Sequence, residues 1–309
     1  MLCLCYEKAT SLTLIPACNE IPRSVGASLQ ASVFSAWLAT LNYIAVFASS
    51  MMDPGWDLRD IFIEACVNSD QGRVKCCLQI AGDLLNAKDE HGWSALHYIA
   101  RHNKTDMLEL FLNQPGINVN TINEDDETPL ILACIFGHTE IVRTLSRVGG
   151  IKFNWTGCFG YDWSALHYSV HKNHYDCVKI LLAISAVDVN QKNCDGDSPL
   201  SLALANSNVE ILKLLLARTD LDLTATDHDG LTVVHQAVSQ DSPHAVNCLD
   251  LLSKDPRVDW NVKNKYEDTP IMSCVRNKRT EMFRILVGIE SVDLDTVDAD
   301  GFHLDTMAR

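Results

Sequence analysis

Residues 128–154 read TPLILACIFGHTEIVRTLSRVGGIKFN, the pattern of two short helices joined by a tight turn. Pro129 suits a first helical turn, where a missing N–H costs nothing. Leu130, Ala133 and Cys134 fall on one helical face. Gly137 ends that helix as a residue free to adopt positive φ. Ile141, Val142 and Leu145 form the apolar stripe of a second helix. Neither helix can bury its stripe alone, so the unit requires neighbours of its own kind.

The sequence supplies them. SALH at Ser94, TPLI at Thr128, SALH at Ser164, SPLS at Ser198, TVVH at Thr232 and TPIM at Thr269 recur at spacings of 34, 36, 34, 34 and 37 residues. A period of this size predicts a solenoid in which each unit packs only on its neighbours. On these starts the chain resembles the ankyrin-repeat family, whose T-P-L-H-x-A signature recurs about every 33 residues. The resemblance implies an all-α solenoid of helix-turn-helix units with short β-hairpin connections. It also implies a non-catalytic role in protein–protein interaction, as an adaptor or scaffold.

The repeat domain is expected over residues 53–309, with a degenerate N-terminal cap over 57–86. Repeats start near residues 89, 123, 159, 193, 227 and 264, and a truncated seventh start covers 298–309. Solenoids need polar terminal caps. The missing closing cap suggests a piece of a longer protein, whose repeats would regulate or target an enzyme or a channel.

Residues 1–52 do not follow the repeat. Ser24 to Met52 carries no charge, and residues 31–49 (ASVFSAWLATLNYIAVFAS) approach the roughly 20 residues of a membrane span. Four readings compete: a signal anchor, a signal peptide, a helix buried on the array, or a false extension with translation starting at Met51 or Met52. The last is favoured. A membrane-tethered scaffold follows only if residues 24–52 are a true span.

The 309 residues carry a net charge of −15, with acidic groups spread through the repeats. Nucleic acids and anionic membranes select basic patches, so direct binding to either is not expected. Among twelve cysteines there is no C-x-x-C. Cys134, Cys177, Cys248 and Cys274 fall on apolar stripes, where free cysteine acts as a small hydrophobe. Reduced thiols point to a cytoplasmic or nuclear protein, a monomer by expectation. Cys158 and Cys194 fall in loops and are expected to be exposed.

Catalytic chemistry has little support. His97, His167 and His235 end the TPLH-like frame, and the family resemblance makes them structural. His167 and His171 have a zinc-like spacing of one turn, with His174 following, but Tyr168 stands where H-E-x-x-H needs Glu. No phosphate loop or nucleophile elbow occurs. The chain is therefore expected to hold no catalytic group, cofactor or metal. Asn190, with Leu182 and Asp188 before it, is similar to the hairpin context that an iron-dependent asparaginyl hydroxylase accepts in ankyrin repeats. Asn120 follows Leu112 at the same spacing.

In the ankyrin frame, partner contacts flank the Ser/Thr start and the exposed end of the first helix. Those slots hold Trp93, Arg101 and His102 in repeat 1, Ile135 and Phe136 in repeat 2, and Tyr161, Trp163, His171 and Lys172 in repeat 3. Trp, Tyr and Arg dominate interface hot spots. These residues are expected to bind a protein segment with basic and apolar side chains. The alternative is that Trp93 and Trp163 fold down as packing.

Overall fold

The computed structural model describes residues 57–157, 161–240, 244–297 and 303. Residues 1–52, Cys158, and the seventh start apart from His303 lie outside them. Contacts divide the chain into Met1–Asp57 and Leu58–Arg309, and the second unit holds all the described helices.

Fourteen α-helices run in chain order among the described residues. They form seven pairs: α1 (Leu58–Val67) with α2 (Gln71–Ile80), α3 (Ala95–Arg101) with α4 (Thr105–Leu112), α5 (Pro129–Ile135) with α6 (Thr139–Ser146), and α7 (Ala165–His171) with α8 (Tyr175–Leu182). The series continues with α9 (Pro199–Ala205) and α10 (Val209–Leu216), α11 (Val233–Ser239) and α12 (Ala245–Leu252), and α13 (Pro270–Arg276) and α14 (Thr280–Val287). First helices pack on first helices and second on second. The core is thus a continuous layer between the two rows. Phe62, Phe111, Ile131, Ile141, Leu166 and Leu181 are all fully buried in it. The Phe62 and Phe111 rings meet at 5.8 Å, joining the first pair to the second.

The starts act as N-caps. Thr128 Oγ1 accepts from the N–H of Ile131, and Ser198 Oγ from that of Ser201. In repeats 1, 3 and 5 the histidine at N3 completes a capping box with Ser94, Ser164 or Thr232. Gly137 adopts φ +70 as expected, and a Cβ there would lie 2.6 Å from the His174 ring. Asn103, Asn173, Ser207 and Lys278 take the same left-handed turn elsewhere.

The hairpins are smaller than expected. Among the described residues, single antiparallel bridges, Lys88 with Ser94, Thr226 with Thr232 and Val297 with His303, stand in place of strands. Most connections are instead shaped by an Asp or Asn that accepts N–H groups within the turn. Asp89 Oδ1 accepts from His91 and Trp93, and Asn193 Oδ1 from Asp195 and Asp197. Asp227 and Asn264 do the same. Repeat 3 carries Phe159 at this position and so lacks the carboxylate or amide.

Two sets of side chains stitch repeat to repeat. The imidazole Nε2 of His97, His167 and His235 lies 3.1, 3.2 and 3.0 Å from the carbonyls of Glu127, Asp197 and Asp268 in the next repeat. In the loops behind the second helices, Asn86, Asn120, Asn154, Asn190 and Asn261 form a ladder. Each donates Nδ2–H to a carbonyl of the following loop: Gly116, Gly150, Ala186, Asp220 or Ser291. Each also accepts an N–H from that loop on Oδ1. Thr224 occupies the ladder position after repeat 4 and makes no such bridge; its hydroxyl turns back to Asp222. There Arg257 reaches back one repeat to the carbonyls of Leu216 and Arg218.

Cys134, Cys177, Cys248 and Cys274 are buried and free, and Cys194 is exposed. Burial pushes the Cys274 thiol up to about 12 and raises those of Cys134, Cys177 and Cys248. Among the described residues no helix is long and apolar enough to cross a membrane.

Candidate protein-binding face

Trp93 and Trp163 each directly precede a helix start, so they hold the same place one and three repeats along. Both are half-buried, and both lie against rings of their own first helix. Trp93 lies 5.2 Å from the Tyr98 ring and 5.8 Å from His97. Trp163 lies 5.1 Å from Tyr168 and 6.4 Å from His167. Four residues past the start, SALHY puts the tyrosine one helical turn on, where its ring supports the indole. Tyr98 and Tyr168 were not foreseen from the sequence. The shared SALHY string is the signal that carried them.

Each indole has a second neighbour eight residues on, at the helix end. In repeat 1 this is Arg101, whose guanidinium carbon lies 5.3 Å from the Trp93 centroid and 5.6 Å from that of Phe136. Phe136, 44% exposed, lies parallel to His138 at 6.0 Å, and His138 Nε2 contacts the Arg101 carbonyl at 2.9 Å. In repeat 3 the residue is His171, edge-on to Trp163 at 4.7 Å. Partial burial and then Lys172 push the His171 imidazole below its usual value, leaving it neutral near pH 7. Tyr161, 62% exposed, meets Trp163 at 6.1 Å. Trp163 Nε1 is covered and has no hydrogen-bond partner among the described residues.

The residues named from sequence therefore form two clusters: Trp93, Arg101 and Phe136 across repeats 1 and 2, and Tyr161, Trp163 and His171 in repeat 3. His102 and Lys172 are exposed beside them and join neither stack. Ile135 is half-buried. Between the tryptophans, Glu127 holds the equivalent place in repeat 2. It is half-buried, and its carboxylate accepts from Asn123 Nδ2 at 2.9 Å. Burial pushes the Glu127 carboxyl up, and Asp125 adds to the effect. Burial raises the Tyr168 phenol, and the negative charges of Glu127 and Asp125 add to the effect.

The histidines of the zinc-like string part company. His167 is fully buried in its capping box and pushed down to about 4 by burial. His171 lies on Trp163. His174 Nε2 reaches back to the Ile135 carbonyl at 3.1 Å. Asn120 and Asn190 use both ends of their amides in the ladder.

A family model described as ankyrin repeats (3 copies) matches residues 62–156 and 150–227. The NF-kappa-B p105 subunit of Gallus gallus is 27% identical over 227 residues, covering 61% of this chain and 23% of that protein. The tyrosine-protein kinase HTK16 of Hydra vulgaris is 27% identical over 151 residues, covering 48% of this chain and 20% of the kinase. The chain thus spans less than a quarter of the length of either relative. Among solved structures, the ankyrin repeat domain of Bcl-3 superposes with a TM-score of 0.65 at 21% identity, covering 74% of this chain and 98% of that one. With the recurring start, the stacked helix pairs and a family match over more than half its length, the chain belongs to the ankyrin-repeat family.

Proposed function

We propose that this chain is an adaptor or scaffold that binds a partner protein across the first-helix face of repeats 1 to 3. Ankyrin repeats are non-catalytic protein–protein interaction modules. The observation that carries the placement is the pair of aromatic clusters with Glu127 and Asp125 between them. Exposed aromatic groups rimmed by polar ones mark contact sites. Carboxylates in the middle favour a segment with basic as well as apolar side chains. The chain would act as a monomer in the cytoplasm or nucleus.

Tyr161 is the discriminating residue, because it is 62% exposed and supports little of the fold. Tyr161→Ala should weaken capture of the partner by about 2 kcal/mol, the scale of an interface hot spot, with no change in melting temperature. Trp163→Ala should lower both binding and stability, since that ring is half-buried. A Tyr161→Ala chain that captures the partner as well as Glu210→Ala, altered on the second-helix side, would refute the placement.

A second reading has the array as the regulatory or targeting arm of a larger enzyme. The match to a protein named as a kinase, of which this chain covers 20%, favours it. The intact mass of the endogenous protein decides between the two.

A further inference from the structure

We propose that Trp163 is the seat of an arginine side chain supplied by the partner protein. The inference rests on the reading that this face binds protein, and it names the group that docks there.

Repeats 1 and 3 provide the comparison within one molecule. Both start SALHY, both place a half-buried tryptophan before the start, and both pack that indole on a tyrosine. Repeat 1 fills the space over the indole from its own chain, with Arg101 between Trp93 and Phe136. A guanidinium held between rings gains cation–π attraction and planar stacking. Repeat 3 carries His171 at the Arg101 position, and that ring stands at 72° to the Trp163 indole in place of a guanidinium. Asn206 stands where repeat 2 has Phe136, and its amide is spent on the carbonyls of Val170 and His171. The repeat that resembles the first most closely therefore lacks the cation that the first provides for itself.

The surroundings favour a cation from outside. Tyr98 donates its hydroxyl hydrogen to Asp89 at 2.6 Å. The matching position in repeat 3 is Phe159, whose side chain has no acceptor, so the Tyr168 hydroxyl has no counterpart of the Asp89 carboxylate to donate to. It stays available as an acceptor for a guanidinium N–H. The negative charges of Glu127 and Asp125 act on the same tyrosine. Arginine fits better than lysine because its flat, weakly hydrated head can stack on the indole while donating at its edge.

The probes are three blocked pentapeptides, Leu-Ser-X-Ser-Leu, with X arginine, lysine or citrulline, the last being the neutral planar isostere of arginine. They are titrated into the full chain while the Trp163 indole N–H resonance, assigned with Trp163→Phe, is followed by NMR. The arginine peptide should move that resonance saturably and bind about fivefold more tightly than the citrulline peptide. His171→Arg restores the arrangement of repeat 1 at an exposed helix end. It should cut the preference for arginine over citrulline to within about twofold, because the seat is then filled from within. Glu127→Gln should reduce the preference with the resonance still responding. Equal binding of arginine and citrulline, equal binding of arginine and lysine, an unmoved resonance, or a His171→Arg chain that behaves as the parent would overturn the proposal. Any of these with Tyr161→Ala still losing the partner leaves the docking face standing and removes only the arginine. Retention of the partner by Tyr161→Ala removes the face itself.

Discussion

Lowering the pH from about 7.5 to 5 should cost this protein roughly 4 kcal/mol of stability, through His97 and His167 alone. Both imidazoles are fully buried, and burial pushes each down to about 4 from an ordinary 6.5. Nδ1 is held by the N-cap and Nε2 by a carbonyl of the next repeat, so the neutral ring has every polar atom used. The unfolded chain takes up protons on these rings below about pH 6.5, while the folded chain does so only near 4. Their stabilisation is therefore complete above the unfolded value and is lost as pH falls toward the folded one. Over the stated interval the linkage amounts to about 2 kcal/mol for each histidine, and two sites in non-adjacent repeats should add. His235 is shifted the same way and adds to the slope. Glu127 and Asp197 oppose it, because burial raises their carboxyls and they bind protons more readily folded than unfolded. Urea unfolding at a series of pH values measures the slope, and imidazole NMR titrations measure the rings directly. A stability flat between these limits, or His97 and His167 titrating near 6.5 in the folded chain, would refute the reasoning.

Thr224→Asn should raise stability by about 0.5–1.5 kcal/mol, the net worth of a hydrogen bond, by filling the gap in the asparagine ladder. The new amide would meet the carbonyl of Arg257 and the N–H of Asp259, which correspond to Asp220 and Asp222 one repeat earlier; an unchanged or lowered melting temperature would count against the ladder. Asn190 is proposed as a hydroxylation site, with Asn120 the weaker candidate. Because both amides bridge two loops, co-expression with the hydroxylase should add one oxygen more readily to a destabilised variant than to the parent, and an unshifted intact mass in both would dismiss it.

The architecture was legible because one constraint repeats. Ser or Thr caps, Pro129 at N1 and the stripe of Ile141, Val142 and Leu145 are local signals that point to the same packing in every unit. The structural role of His97, His167 and His235 followed from their place in the frame. The aromatic face was legible only by position. The ankyrin-family frame put Trp93 and Trp163 in contact slots but left open whether they would turn outward or pack down. They do part of each, because the tyrosine one turn further on offers a ring to lie against. The asparagine ladder went unseen because its partners lie about 30 residues away, beyond any local pattern. Nor could spacing show that the hairpins would shrink to a single bridge, since turn residues signal a reversal and not the length of the ladder beside it.

The gap at Thr224 also has a mechanical consequence. The junctions between repeats bear an axial load in series, so the weakest one sets the breaking force. Junctions from repeat 1 to 2, 3 to 4 and 5 to 6 carry both a histidine stitch and an asparagine bridge, and the junction from 2 to 3 carries the asparagine. Among the described residues both are missing from repeat 4 to 5, with Arg257 spanning the loops instead. Pulled from its ends in an optical trap, the molecule should part there first. A first rupture releasing repeats 5 and 6 together would leave the aromatic face on repeats 1 to 3 intact under tension, whereas rupture beginning at the N-terminal end would show that the two sets of stitches do not set the order.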